Sequence, residues 1–425
     1  MRRDDIQVLR TLAIFAVLLY HFWPLYFPSG FLGVDVFFVI SGHLIAKCLD
    51  NVGTNFKLSN EILIFYKRRI HRIVPIYMLI NLASASFVRI LVNEKDFKRA
   101  RLTMYWSLGF LMNIKTAFFD TPDKFFMYSP FLHAWSLGVE MQFYLLAPLC
   151  IVINNNFENS SFLSSIIKQK IRPFILYFIL ILFSFFIQQK STRTVRLAFP
   201  FCRLWQFIVG IISYYLSINK LEDNVDEIVA EGELLLEQNL NDPSTSESCL
   251  SSSQLLQKNY NINNILHLTI KYLFFNFIFA CLIILMFFRR SLDIELIPQP
   301  YHCIIVVILT FIILYGKQFE KNLILKNKLI VWLGDISYVL YLVHWPIIAF
   351  IKYHFKINDF SFKIGIAIFI LIFVITFICD LIDQQIRKIQ DFSILTLLIG
   401  ILYILCLFQA RPLHYSGLIE VNIDI

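Results

Sequence analysis

The chain has 425 residues, 58% hydrophobic and only 16% charged, with 44 phenylalanines. Apolar runs of about 20 residues recur along its whole length, which excludes a soluble multidomain protein and predicts an all-α, polytopic transmembrane helix bundle. The net charge of +8 is not a nucleic-acid footprint, because the Lys and Arg residues gather between the apolar runs, where membrane topology places them.

The first two spans form a hairpin, RTLAIFAVLLYHFWPLYFPSGFLGVDVFFVISGHL, over residues 10–44, turning at Pro24, Pro28, Ser29 and Gly30. Its apolar run carries Arg10, His21 and Asp35. Ionisable groups are costly at membrane depth and normally face a protein interior or a water-filled cavity. Arg10 and His21 are eleven positions apart. At ~100° and ~1.5 Å per residue they share a helix face to within about 20° and lie ~16 Å apart. The competing readings are a snorkelling positive-inside charge for Arg10 and an aromatic-belt side chain for His21, beside Tyr20, Phe22 and Trp23. The N-terminal segment shows no small-residue cleavage pattern and reads as an uncleaved signal anchor.

A strongly basic loop follows, from Lys47 through Lys67, Arg68, Arg69, His71 and Arg72, and then a span from Ile73 to Val92. This cluster is expected in the cytosol, with the N-terminus. The Thr103–Phe119 stretch is apolar but short and holds Asn113 and Lys115, so it is expected to be re-entrant or interfacial. Later spans are expected over His133–Ile153, Phe174–Ile187, Phe199–Leu216, Leu268–Phe288, His302–Tyr315, Val331–Ile351, Phe362–Leu381 and Ser393–Gln409. This makes about eleven crossings (ten to twelve), with the C-terminus extracytoplasmic.

An acidic insert interrupts the pattern: nine Asp and Glu residues between Glu222 and Glu247 precede the Ser-rich run SESCLSSS. Its composition predicts a flexible cytosolic segment. The expected organisation is a membrane domain in two parts, residues 1–218 and 265–409, separated by the insert at 219–264 and followed by a short extracytoplasmic tail at 410–425. The eight cysteines lie mostly in or beside apolar runs and suggest neither a disulfide framework nor a metal site.

Four stretches carry side chains suited to chemistry. Arg10 and His21 are the first pair. In FYKRRIHRIVP, Arg69 and Arg72 stand at i and i+3 and point the same way on a helix. Guanidinium pairs suit phosphate, such as that of a nucleotide-bearing donor; lipid headgroup binding is the plainer reading. In HAWSLGVEMQFY, His133, Ser136 and Glu140 fall at i, i+3 and i+7, one helix face. His and Glu together can do general acid–base work, against a plainer role in capping and a buried polar network. A triad with Ser136 as nucleophile is disfavoured, because a helix face builds no oxyanion hole. In SYVLYLVHWP, His344 stands mid-span beside Trp345 and Pro346, which reads as a kinked packing helix.

These stretches together resemble the acyltransferase-3 family of integral-membrane O-acyltransferases. The resemblance runs from about Arg2 to Lys388, through RRDDIQVLRTLAIFAVLLYHF, GFLGVDVFFVISGHLI, FYKRRIHRIVP, SPFLHAWSLGVEMQFYLLAP, PFCRLWQFIVG and DISYVLYLVHWPI, in the family's order. It implies transfer of an acyl group, usually acetyl, from acyl-coenzyme A (acyl-CoA) to a hydroxyl of a carbohydrate, lipid or small molecule on the far side of the membrane, with no metal. The family's Arg, ten residues, His signature falls on Arg10 and His21. Its Arg-x-x-Arg falls on Arg69 and Arg72, and its His-x-Trp-Ser-Leu-x-x-Glu on His133 and Glu140. The resemblance thus implies His21, Glu140 and His133 as catalytic groups and Arg10, Arg69 and Arg72 as donor-binding ones.

The chain departs from the family pattern at His43, where an aromatic is common, at Gln206, where a Glu is common, and at Asp383, where a Glu usually stands. Many relatives continue into an extracytoplasmic hydrolase-like domain, whereas only Ala410–Ile425 follow the last expected span. The chain is therefore expected to act alone, to hand the acyl group to a separate partner protein, or to have lost activity. A transporter or lipid-handling protein using the same polar groups is the non-enzymatic alternative.

Overall fold

The computed structural model describes residues 3–50, 58–119, 128–158, 174–218, 273–287, 299–316, 327–357 and 359–411, and all regular structure among them is helical. The acidic insert, the basic residues at 168–172 and 317–326, and the tail beyond 411 lie outside the described residues. The helices are α1 (Asp4–Phe22), α2 (Gly33–Leu49), α3 (Leu58–Leu91), α4 (Glu94–Leu108), α5 (Met112–Phe118), α6 (Ala134–Glu158), α7 (Ile175–Lys190) and α8 (Arg193–Ala198). There follow α9 (residues 200–218), α10 (Leu273–Phe287), α11 (Gln299–Gly316), α12 (Lys328–Asp335), α13 (Ser337–Phe355), α14 (Phe362–Ile386) and α15 (Phe392–Gln409).

Among the described residues, seven helical stretches are long and apolar enough to cross a membrane. An eighth is the pair α12 and α13, bent by 65° at a short break, if the two form one broken span. The protein is thus an integral, multi-pass membrane helix bundle. Three further apolar helices, α7, α10 and α11, are shorter. The Thr103–Phe119 stretch is not one crossing helix. It is the end of α4 and the seven-residue α5, separated at Phe110, which has a φ of 55°. That left-handed backbone is unfavourable for a bulky residue, and here the Phe110 ring stacks on Tyr77 at 4.7 Å.

The basic stretch before the third span is a helix rather than the expected loop, from residue 58 onward. At 34 residues, α3 is ~51 Å long, against a hydrocarbon core of ~30 Å. Its apolar part from Ile73 suffices to span, so the turns bearing Lys67–Arg72 extend beyond the span.

By packing, the chain divides into two units: Met1–Ile62 with Gln142–Tyr338, and Leu63–Met141 with Val339–Ile425. In the first, α1 packs on α2 and α12, and α2 on α11. Leu9, Ala13, Val36, Val39, Val306 and Val307 supply much of its buried core. Two glycines set how closely α2 meets α9. A Cβ on Gly42 would sit 1.9 Å from the Phe207 carbonyl oxygen, and one on Gly210 2.1 Å from that of Val39. Backbones that approach this closely gain dispersion contacts that lipid cannot supply. The ring of Phe207 stacks between Phe38 and Phe143 at 4.7 and 4.1 Å.

In the second unit, the Tyr77 hydroxyl bonds Ser107, and Ser107 Oγ donates to Asn81 Oδ1 at 2.9 Å. Arg89 donates to the Phe408, Gln409 and Arg411 carbonyls, satisfying the open C-terminal end of α15. Large apolar side chains of α14 and α15, among them Ile370, Phe377 and Leu397, are exposed, as a lipid-facing surface requires.

Candidate functional site

Unbroken α1 keeps Arg10 and His21 on the one face their spacing predicts. Arg10 is buried, while His21 in the last turn is half-buried, with its ring edge-on to Tyr20 at 5.2 Å. Both belong to the first unit. Arg69, Arg72, His133 and Glu140 belong to the second.

The first unit also holds a buried charge cluster that joins residues far apart in sequence. Asp35 Oδ1 accepts from Arg203 Nη1 and from Gln206 Nε2, both at 2.7 Å, and Cys303 Sγ donates to Asp35 Oδ2 at 2.8 Å. All four side chains are buried. Hydrogen bonds to both carboxylate oxygens and a close guanidinium offset the cost of taking the charges out of water. The Gln206 Oε1 atom is buried without a hydrogen-bond partner. Asp35 was visible as an ionisable residue in a span and Gln206 as a departure, but nothing in the spacing paired them.

A second network in this unit includes His43. Arg3 Nη1 has only hydrogens to give, so His43 Nε2 accepts from it at 3.1 Å. The ring proton therefore sits on Nδ1 and is donated to Ser213 Oγ at 2.8 Å, and Ser213 donates on to the Gly210 carbonyl. Arg3 also pairs with Asp5 and donates to the Leu314 carbonyl. The departure at His43 thus ties the start of α1 to α9 and α11.

In the second unit, the basic turns of α3 meet the segment that follows α14. The Lys67 ammonium lies over the Phe392 ring at 5.3 Å, and His71 Nε2 donates to the Ile389 carbonyl at 2.8 Å. Arg69 lies over the Phe65 ring at 5.4 Å. Asp383, buried near the end of α14, pairs with Arg387, and Arg72 is within electrostatic reach of the same carboxylate.

The start of α6 forms the other polar centre of this unit. Glycine at 138 lets α5 approach: a Cβ there would lie 2.6 Å from Asn113 Oδ1 and 2.9 Å from the Phe110 carbonyl oxygen. His133 is buried just ahead of α6. Its Nδ1 contacts the Pro130 carbonyl oxygen at 3.1 Å. A carbonyl oxygen only accepts, so the proton is on Nδ1 and Nε2 carries the lone pair. That Nε2 atom is buried and has no hydrogen-bond partner among the described residues.

Helix α13 closes around this imidazole. The Tyr341 hydroxyl donates to the His133 carbonyl at 3.0 Å and accepts from Ser136 Oγ at 2.6 Å. The His344 ring lies 6.3 Å from that of His133. Trp345 Nε1 donates to the Ser129 carbonyl at 2.8 Å, and Ser129 Oγ bonds Thr103 Oγ1. Half-buried Glu140 is within electrostatic reach of Tyr341. His133, Ser136 and Glu140 therefore do share one polar centre. Ser136 gives its proton to Tyr341. Sequence reasoning missed Tyr341; His344, read there as part of a kinked packing helix, donates from Nδ1 to the Leu340 carbonyl at 3.2 Å. Among the described residues no group of three or more His, Cys, Asp or Glu side chains is placed to hold a metal ion.

The profile of a family described as an acyltransferase domain matches residues 3–382. The chain belongs to the acyltransferase-3 family. Two curated relatives are the O-acetyltransferases OatA of Staphylococcus aureus strains NCTC 8325 / PS 47 and COL, each 33% identical over 148 residues. The alignment takes in 34% of this chain and 24% of each relative. The chain thus spans about a quarter of the length of these acyltransferase relatives. No solved structure matches. The family match encloses Arg10, His21, Arg69, Arg72, His133, Glu140, Asp35, Arg203 and the Tyr341–His344 turn, but ends at residue 382, just short of Asp383.

Proposed function

We propose that the chain is a membrane O-acyltransferase that moves an acyl group, acetyl in the simplest case, from acyl-CoA to a hydroxyl of a carbohydrate, lipid or small-molecule acceptor. The observation that carries this reading is His133: a buried imidazole whose proton is held at Nδ1 and whose basic Nε2 is open. In this reading Nε2 takes the proton of the acceptor hydroxyl as its oxygen attacks the thioester carbonyl. The C–S bond then breaks, and the departing thiolate of coenzyme A takes up a proton. Glu140, within electrostatic reach of Tyr341, is assigned to this centre as its acidic partner.

Arg69 and Arg72 hold the donor's phosphates. Arg10 is assigned to the donor as a further cation, and His21 to proton transfer or to passing the acyl group on; these two assignments rest on the α1 face and the family signature. The proposal includes a separate acyl-accepting partner protein as one form of the acceptor. It places the N-terminus in the cytosol and the C-terminus outside, with α7, α10 and α11 crossing beside the eight longer candidates to make eleven spans.

The test is thiol release from acetyl-coenzyme A by purified, reconstituted protein, with candidate hydroxyl acceptors, beside an Arg69→Ala, Arg72→Ala double variant. Release by the wild type that is lost in the variant supports the donor assignment. A protein that neither binds coenzyme A nor releases thiol with any acceptor is not an acyltransferase, and a transporter behaves in that way.

A further inference from the structure

The arginine pair of α3 does not stand alone. Two contacts bring the basic turns of α3 to the segment joining α14 and α15, Lys67 over Phe392 and His71 to the Ile389 carbonyl, and Arg72 is within electrostatic reach of Asp383. Asp383 is 1% exposed and also holds Arg387. Arg387 and, at longer range, Arg72 act on this one buried carboxylate, and so does the neighbouring Asp380. The net positive charge of the region therefore comes from Lys67, Arg68 and Arg69 on α3.

Arg387 differs from an ordinary surface cation. It is anchored at one end, through Nη2 to Asp383, while its side chain is 38% exposed. The other guanidinium N–H groups make no hydrogen bond to the described residues. A planar fork held by one corner and open at the others is pre-organised for bidentate contact with a phosphate. Lys388, the next residue, is spent differently: its ammonium donates to Gln385 Oε1 at 3.1 Å and does not touch Asp383.

We infer that Arg387, held by Asp383, is the third arginine of a phosphate-binding cluster with Arg69 and Arg72. The inference rests on the acyl-CoA reading and deepens it. Coenzyme A carries three phosphates, a diphosphate and a 3′-phosphomonoester, and two arginines on one helix face are too few to meet all three. The chemistry recognised is a phosphate anion, which an anionic lipid headgroup also presents.

The experiment measures binding of coenzyme A to the purified full chain in uncharged detergent, with Arg387→Gln, Arg387→Lys and Lys388→Gln variants. Parallel arms use 3′-dephospho-coenzyme A and vesicles of phosphatidylcholine with or without phosphatidylglycerol. Arg387→Gln is expected to weaken coenzyme A binding about tenfold, as loss of a charge-assisted hydrogen bond would. Arg387→Lys should recover part of the loss, and Lys388→Gln, which removes the same charge one position on, should bind as the wild type does.

Wild-type affinity retained in Arg387→Gln overturns the inference and leaves the donor reading standing. An equal loss in Lys388→Gln also overturns it, because the effect would then be bulk charge. A wild type that fails to bind coenzyme A overturns the donor reading itself. If that protein instead binds phosphatidylglycerol vesicles in an Arg387-dependent way, the cluster is a lipid-headgroup site.

Discussion

Two of the buried polar clusters among the described residues, around Asp35 and around His133, have opposite character. Around Asp35, every charge is answered: Arg203, Gln206 and Cys303 donate to a single carboxylate. The atom left over there is the amide oxygen of Gln206, which accepts hydrogen bonds but has no useful basicity. Around His133, Pro130, Ser136 and Tyr341 satisfy the backbone and the Nδ1 proton, and the atoms left over are imidazole nitrogens, Nε2 of His133 and Nε2 of His344. An imidazole lone pair is a Brønsted base, which an amide oxygen is not at ordinary pH. An unsatisfied acceptor alone therefore does not mark a reactive centre. What separates the fastening cluster from the chemical one is whether the open atom can change its protonation state.

The comparison breaks first at His133. His133→Gln keeps a polar side chain but has no titratable nitrogen, and thiol release should fall by about 100- to 10,000-fold, the range for losing a general base. Thermal unfolding in detergent should change little. A variant that melts early and turns over normally would reverse the roles assigned to the two clusters.

Asp35→Ala should do the opposite. It leaves Arg203 charged, buried and unpaired, a loss of about 3–5 kcal/mol, so a large fall in melting temperature or failure to purify as a monodisperse species is expected. Removing the charge on both sides, with Asp35→Asn and Arg203→Gln together, should recover part of that loss. No recovery would mean that the pair does more than fasten helices.

Tyr341→Phe sharpens the comparison at smaller scale. It removes the hydrogen bond to the His133 carbonyl and leaves Ser136 Oγ without its acceptor, an effect of about 0.5–1.5 kcal/mol. A drop of severalfold in kcat with KM unchanged would identify Tyr341 as a positioning residue. A change confined to melting temperature would make the contact purely structural.

Sequence periodicity exposed those parts of the site that lie along a single helix. The i, i+3 pair Arg69 and Arg72 and the i, i+3, i+7 set His133, Ser136 and Glu140 follow from 3.6 residues per turn, and the structure keeps all but His133, in the turn just ahead of α6, on helix. It did not expose Tyr341, which meets Ser136 from 205 positions away, or the Asp35–Arg203 pair, 168 positions apart. Such pairs leave no periodic trace, because their spacing depends on which helices pack together. The basic stretch was misjudged as a loop because its lysines and arginines signal topology, and that charge signal is silent on backbone conformation.

By itself the sequence determined that this is a helical membrane bundle, because bilayer thickness and backbone hydrogen bonding leave long apolar segments few alternatives, and the order of its motifs carried the resemblance to the acyltransferase-3 family. It also placed the candidate cations and imidazoles on their own helices. Only the tertiary structure decided which of them are spent and which are open. Asp35 is closed off by three donors, and Asp383 holds Arg387. His133 is held at one nitrogen and left free at the other. Protonation and charge are settled by partners within about 3 Å, and those partners come from helices that the order of the chain does not bring together.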